Sequence, residues 1–304
     1  MSSRRNFLKS SAGLAATIAA GPLAGGQTPP AASLPKVRFG DVEISRLIVG
    51  QNTFGKGSHF NPQVDQLMGD WNTPERVCQM LLLCQQNGIN AFQCSTNEYS
   101  QPRFNLFRAQ GGKMHLIAID NNKTPVEETV RRSQAGALYH HGEVTDVLFR
   151  DGKMDQVHEY TKRLRQTGVQ VGVGTHKPEV VEYVEERGWD VDFYMLCAYN
   201  RTRTPEEIRK LLGVLPLPAQ ELYLETDPSR AYQVARQTSK TCLLFKILAA
   251  GRLTHSPEEV DKAFKDAFDN IKPQDCVVVG MLPRFQNQAK ENCDRVRRIL
   301  TYNS

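Results

Sequence analysis

The sequence predicts a (β/α)8 barrel, on three observations. From about residue 36, eight short apolar runs rich in β-branched residues recur along the chain, each too short for a helix. Amphipathic stretches with helical spacing stand between most of them, the alternation that gives parallel βα units. The third is negative: no GxGxxG follows an early strand, which weakens the runner-up, an open doubly wound sheet.

Taken in order, the runs are ISRLIVG (44–50), NAFQCS (90–95), MHLIAID (114–120), GALYHH (136–141), VQVGVGT (169–175), VDFYMLCAY (191–199), TCLLFKI (241–247) and DCVVVGM (275–281). The helical stretches include TPERVCQMLLLCQQNG, KMDQVHEYTKRLRQTG, KPEVVEYVEERG and DPSRAYQVARQTS. Several open on Thr-Pro, Lys-Pro or Asp-Pro and close on glycine, as a proline in the first turn and a glycine past the last one favour. At 304 residues the chain suits one such barrel, over 35–304, preceded by a leader and linker over 1–34.

A barrel gathers its chemistry at the carboxyl ends of its strands. That rim receives Gln51 and Asn52, then Gln93 and Cys94, Asp120 and Asn121, and His140 and His141. The later strands bring Thr175 and His176, then Cys197, Tyr199 and Asn200, then Lys246, and Arg284 a few residues past the eighth. Alternation along a strand lets only one of His140 and His141 face the axis, the other capping a loop or meeting solvent. His141 and His176 then stand on adjacent strand ends.

The start of the chain carries a separate signal. SRRNFLKS pairs Arg4 and Arg5 with Phe7, Leu8 and Lys9 ahead of a small-residue stretch, AGLAATIAAGPLAGG, and resembles a twin-arginine export leader. The resemblance implies the twin-arginine machinery as a partner and a periplasmic destination. With 38 basic and 33 acidic residues, and three of the basic ones in this leader, the rest is nearly neutral; no basic stripe interleaved with aromatics argues for nucleic acid. No run of 18 or more apolar residues predicts a permanent membrane span. Seven cysteines without a CxxC pair fit neither a disulfide framework nor a zinc ribbon and read as small core residues.

The pieces VRFGDVEISRLIVGQNTFG, GINAF, GVQVGVGTHKPEVVE, AYN, FKILAAGRLT and VVVGMLPRFQNQAKENC resemble, in this order and over roughly 36–300, the aldo-keto reductases. The resemblance implies a barrel that binds NADP(H) without a Rossmann domain and transfers hydride to a carbonyl through an Asp, Tyr, Lys, His tetrad. It places Phe245 against the nicotinamide, Thr175 and His176 at the carboxamide, and Cys197 where the family usually has glutamine. Arg284 falls at a phosphate position, and Glu291 and Asn292 at the adenine.

The tetrad itself departs from the family. Gln93 stands for the aspartate, Glu98 with Tyr99 beside it for the tyrosine, Asp120 or Asn121 for the lysine, and only the histidine is kept, as His140 or His141. A tyrosine without the lysine cation is a poor acid near neutral pH. His141 oriented by Asp120 is an alternative acid, and Lys246 could supply the missing charge. The expectation is therefore an exported oxidoreductase acting on a small carbonyl or sugar. A rival expectation is a metal-dependent lyase, isomerase or hydrolase, with a divalent metal on Asp120, His141, His176, Cys197 and Glu225. A third is a binding barrel without catalysis.

Overall fold

The computed structural model describes residues 33–120, 124–217 and 221–301; the leader and Asn121 lie outside the described residues. The first predicted run is divided in two. Val42–Ser45 (β2) pairs antiparallel with Lys36–Phe39 (β1) as a hairpin, and only Leu47–Gly50 (β3) enters the barrel. The break falls at Arg46, whose amide donates to the Pro35 carbonyl and whose guanidinium donates to the Asp275 and Lys272 carbonyls. Phe39 packs edge-on against Phe193 at 5.1 Å, and Phe39 and Ile44 join the barrel's inner core, so the hairpin plugs the amino-terminal end.

The remaining barrel strands are Ala91–Ser95 (β4), His115–Asp120 (β5), Ala137–His140 (β6), Gln170–Thr175 (β7), Phe193–Cys197 (β8), Thr241–Phe245 (β9) and Cys276–Gly280 (β10). All pair in parallel with their neighbours, and β10 closes on β3 from Val277 opposite Leu47 to Gly280 opposite Gly50. Alternate residues split between two cores. Ile48, Ile117, Tyr139, Phe193, Met195 and Leu243 fill the interior, while Leu47, Leu116, Leu138, Val171 and Leu244 pack outward against the helices. On β7 two of the three inward positions, 172 and 174, are glycine for a steric reason. A Cβ on Gly172 would lie 2.4 Å from the Phe193 ring, and one on Gly174 would lie 2.8 Å from the His140 carbonyl and 2.9 Å from the Tyr139 ring.

The helices are Pro62–Trp71 (α1), Pro74–Gln86 (α2), Ser100–Ala109 (α3), Val126–Ser133 (α4), Gly142–Arg150 (α5), Met154–Arg165 (α6), Pro178–Glu186 (α7), Pro205–Leu212 (α8), Asp227–Gln237 (α9), Pro257–Asn270 (α10) and Gln288–Thr301 (α11). Asn61, Thr73, Thr204 and Ser256 each cap a helix that opens on proline, the side-chain oxygen accepting a backbone N–H of the first turn. Helices α1, α5 and α8 each follow a strand and precede a second helix of the same unit, which puts extra structure at the carboxyl-terminal mouth. No helix among the described residues is long and apolar enough to cross a membrane.

Candidate functional site

The mouth is built from the inward side chains of the strand ends. On β4, Gln93 turns to the axis and its Nε2 donates to the buried Tyr139 hydroxyl at 2.7 Å; burial pushes that phenol well above its ordinary pKa. Next to it, His176 follows β7 directly. Its Nδ1 lies 2.8 Å from Oδ2 of Asp146 on α5, a carboxylate that also accepts from the Thr175 hydroxyl at 2.5 Å, the Thr202 hydroxyl at 3.1 Å and the His176 amide. With Nδ1 donating to the carboxylate, Nε2 is the acceptor nitrogen of the neutral ring. The imidazole stands edge-on to Phe245 at 5.3 Å. Burial pulls its pKa down, and the bond to Asp146 opposes that pull.

A second polar cluster centres on Glu221. Its carboxylate meets His59 Nδ1 at 2.8 Å, Arg201 Nε at 2.6 Å and the Tyr199 hydroxyl at 3.0 Å, and Lys246 Nζ lies 3.7 Å away. Burial works against its ionisation, but the His59 hydrogen bond and the charges of Lys246 and Arg201 outweigh it, holding Glu221 far below the usual carboxylate range. The Lys246 side chain is 8% exposed, its Nζ has no hydrogen-bond partner, and burial pulls its pKa down to about 8 against the influence of Cys197 and Glu221.

Of these groups Gln93, Phe245, Lys246 and His59 line a cavity of about 630 Å³ that runs from the axis to Glu291, Asn292 and Arg295 on α11; His176 and Glu221 stand behind that lining. Asn292 is buried and its Oδ1 accepts from Arg295 at 2.7 Å, which turns its amide NH2 elsewhere; Arg295 also pairs with Asp261. Glu291 is exposed.

The residues singled out from the sequence are only partly brought together. His141, His176 and Cys197 stand at strand ends around the mouth without lining the cavity, Phe245 and Lys246 line it, and Glu291 and Asn292 line its far end. Asp120 does not orient His141. It shares the outward parity of Leu116 and Ala118, stands opposite His140 in the sheet and faces the Tyr160 hydroxyl of α6, on the helix side of the wall. His140 goes the same way, neither capping a loop nor meeting solvent: it is 1% exposed, bonds Thr145 and packs edge-on to Tyr160. Thr175 also points outward, its hydroxyl committed to Asp146 and so withdrawn from a carboxamide. Tyr99 donates to the Phe54 carbonyl at 2.6 Å under the Arg103 guanidinium, where it lines a separate recess of about 230 Å³. Arg284 lies over Trp71 and Phe285, outside the larger cavity's lining.

The divalent-metal set is not assembled. Asp120 faces the helix layer, Glu225 is exposed on the surface, and burial pushes the Cys197 thiol up to about 12. Among the described residues no three His, Cys, Asp or Glu side chains converge to hold a metal ion.

Asp146, Arg295 and Glu221, with the His59 and Arg201 that bond Glu221, escaped the sequence reading. Asp146 left a trace: Gly142, Thr145 and Asp146 form the buried face of α5, and a carboxylate on such a stripe needs a partner. Arg295 likewise stands among the buried residues of α11. Glu221 lies where the sequence has no period and left no signal.

No family model matches the chain, and no curated protein matches it. Solved structures share its fold. A glycerol dehydrogenase from Gluconobacter oxydans superposes with a TM-score of 0.52 at 14% identity, over 88% of this chain and 95% of that one. An aldo-keto reductase from Bacillus halodurans, in holo form, gives 0.50 at 13% identity, over 88% and 96%. A truncated 3-deoxy-D-arabino-heptulosonate 7-phosphate synthase from Thermotoga maritima gives 0.51 at 11% identity, over 89% and 92%. The chain is a (β/α)8 barrel of the kind aldo-keto reductases share, and at these identities the likeness is one of fold.

Proposed function

We propose that this protein is an aldo-keto-reductase-like oxidoreductase, exported by the twin-arginine route to the periplasm, that uses NADP(H) on a small carbonyl or sugar. The observation that carries the reading is one continuous cavity with Phe245 at the axis and Asn292 on α11. Its volume lies in the range of small-molecule and cofactor sites. The residues fit a dinucleotide: Phe245 offers an aromatic surface at one end, and the Asn292 amide and Glu291 carboxylate offer a donor and an acceptor at the other. Bound nicotinamide would supply the hydride.

The chain's own part is to hold the carbonyl against Gln93 and to move a proton. His176 is the acid we assign: its Nδ1–H donates to Asp146, and that carboxylate favours the imidazolium, the form whose Nε2–H can donate. His141 stands beside it at the mouth with its buried Nδ1 unbonded, a less well oriented imidazole. Of the cations in the lining, Lys246 and Arg295 are paired with Glu221 and Asp261, so NADH is the necessary control for the 2′-phosphate.

The test is a fluorescence titration of the purified protein, stripped of bound nucleotide, with NADPH and NADH in parallel. Saturable binding in the micromolar range or tighter supports the reading, and no binding of either nucleotide overturns it.

A further inference from the structure

We propose that Lys246 is an amine nucleophile that captures an aldehyde or ketone in the 630 Å³ cavity as an iminium. Three geometric observations converge on it. First, a side chain more than nine-tenths buried carries an Nζ without a hydrogen bond, its one ionic neighbour, Glu221, being 3.7 Å away. A structural lysine at such depth normally spends its donors, because an unsatisfied buried cation is expensive. Second, Lys246 holds a left-handed backbone at φ +61°, and Ala249 and Ala250 repeat it at +49° and +52°. Non-glycine residues in that region store strain, which concentrates at functional sites. Third, Lys246 lines the same cavity as His59 and Phe245, and its four-carbon stem has the rotatable bonds to carry Nζ from Glu221 into it.

The surroundings suit an amine that must lose its proton. The charged and titratable groups around it are Glu221, Cys197, Arg201, Tyr199 and His176, with His59 on the far side of the Glu221 carboxylate. Burial brings the ammonium down to about 8, so at pH 7 the neutral fraction exceeds that of an ordinary lysine roughly two- to three-hundredfold. In the step itself the Nζ lone pair bonds the carbonyl carbon, and the amine proton passes to the oxygen as a carbinolamine forms. The carbon–oxygen bond then breaks, the oxygen taking a second proton from His59 and leaving as water while the nitrogen lone pair closes the C=N⁺ bond. Nothing is oxidised or reduced, and the product is an electron sink that acidifies the neighbouring carbon.

Wild-type protein is incubated with dihydroxyacetone or D-glyceraldehyde, reduced with sodium borohydride, digested, and its lysines mapped by mass spectrometry. The expected result is one reduced three-carbon adduct concentrated on Lys246, at least about tenfold above any surface lysine, and absent in Lys246→Arg. Glu221→Gln, which removes the carboxylate that favours the ammonium, should raise labelling at pH 7. Adducts spread over exposed lysines with Lys246 unmodified would overturn the proposal, as would no adduct at all. The wild-type map needs no variant to fold. The inference does not rest on nucleotide binding: a chain that binds NADPH but leaves Lys246 unlabelled defeats this proposal alone, and the converse defeats only the oxidoreductase.

Discussion

Asp146 and His176 come from successive βα units of the barrel, yet the carboxylate of one holds Nδ1 of the other at 2.8 Å. The same carboxylate gathers Thr175 and Thr202, so a single buried charge ties together α5, the end of β7 and the loop after β8.

Replacing Asp146 by asparagine should therefore disturb both stability and chemistry. Losing the charge from a fully bonded buried carboxylate costs about 2–4 kcal/mol, read by urea denaturation. Asp146 raises the His176 pKa against burial, so its loss lowers that pKa further and moves the His176-dependent limb of the pH–rate profile to lower pH. A limb that stays in place would remove His176 from proton transfer.

His140 should make the fold acid-sensitive. Burial, and then the neighbouring His141, pull its pKa down to about 4, against about 6.5 in the unfolded chain. The unfolded state thus binds the proton first. Its contribution is full above pH 6.5 and is lost as the pH falls towards 4, by at most about 3 kcal/mol. His140→Phe should flatten the fall in stability between pH 6.5 and 4; an unchanged slope would show that other groups set it.

Gly174→Ala should destabilise by about 1–3 kcal/mol, because the new methyl group meets the His140 carbonyl and the Tyr139 ring closer than van der Waals contact allows. Calorimetry should show a melting temperature several degrees lower, whereas alanine at the solvent-facing Gly111 of the loop before β5 is strained by its φ of +84° but clashes with nothing.

Phe245→Ala should weaken NADPH binding about tenfold, the worth of one aromatic stacking contact, with the circular dichroism spectrum retained. Equal affinity in the two proteins would move the nicotinamide off Phe245.

All seven cysteines are buried and free. A thiol reagent such as dithionitrobenzoate should find none of them promptly in the native protein and all seven in denaturant. Fast labelling of any one in the native state would contradict its placement.

The barrel was legible because eight β-branched runs and the helices between them carry their periods openly. The hairpin was not, since β2 and β3 are both apolar and the break at Arg46 depends on carbonyls more than 200 residues away. For the site, position along the chain was readable but facing was not. Asp120, His140 and Thr175 stand at strand ends as expected, yet the register of the closed sheet turns them towards the helices. Phe245 and Lys246 remained at the mouth, the former on an inward position of β9 and the latter through a left-handed turn no propensity announces.

The two glycines on the inward face of β7 also constrain how this barrel can diverge. Phe193 and Tyr139, from the strands on either side, occupy the volume that side chains at 172 and 174 would claim. A larger residue at 174 requires Tyr139 to shrink as well as the His140 carbonyl to shift, and shrinking Tyr139 first takes away the hydroxyl that receives the Gln93 amide. Mutational routes through this part of the interior are thus contingent on order, and the axial glutamine is inherited together with a glycine three strands away.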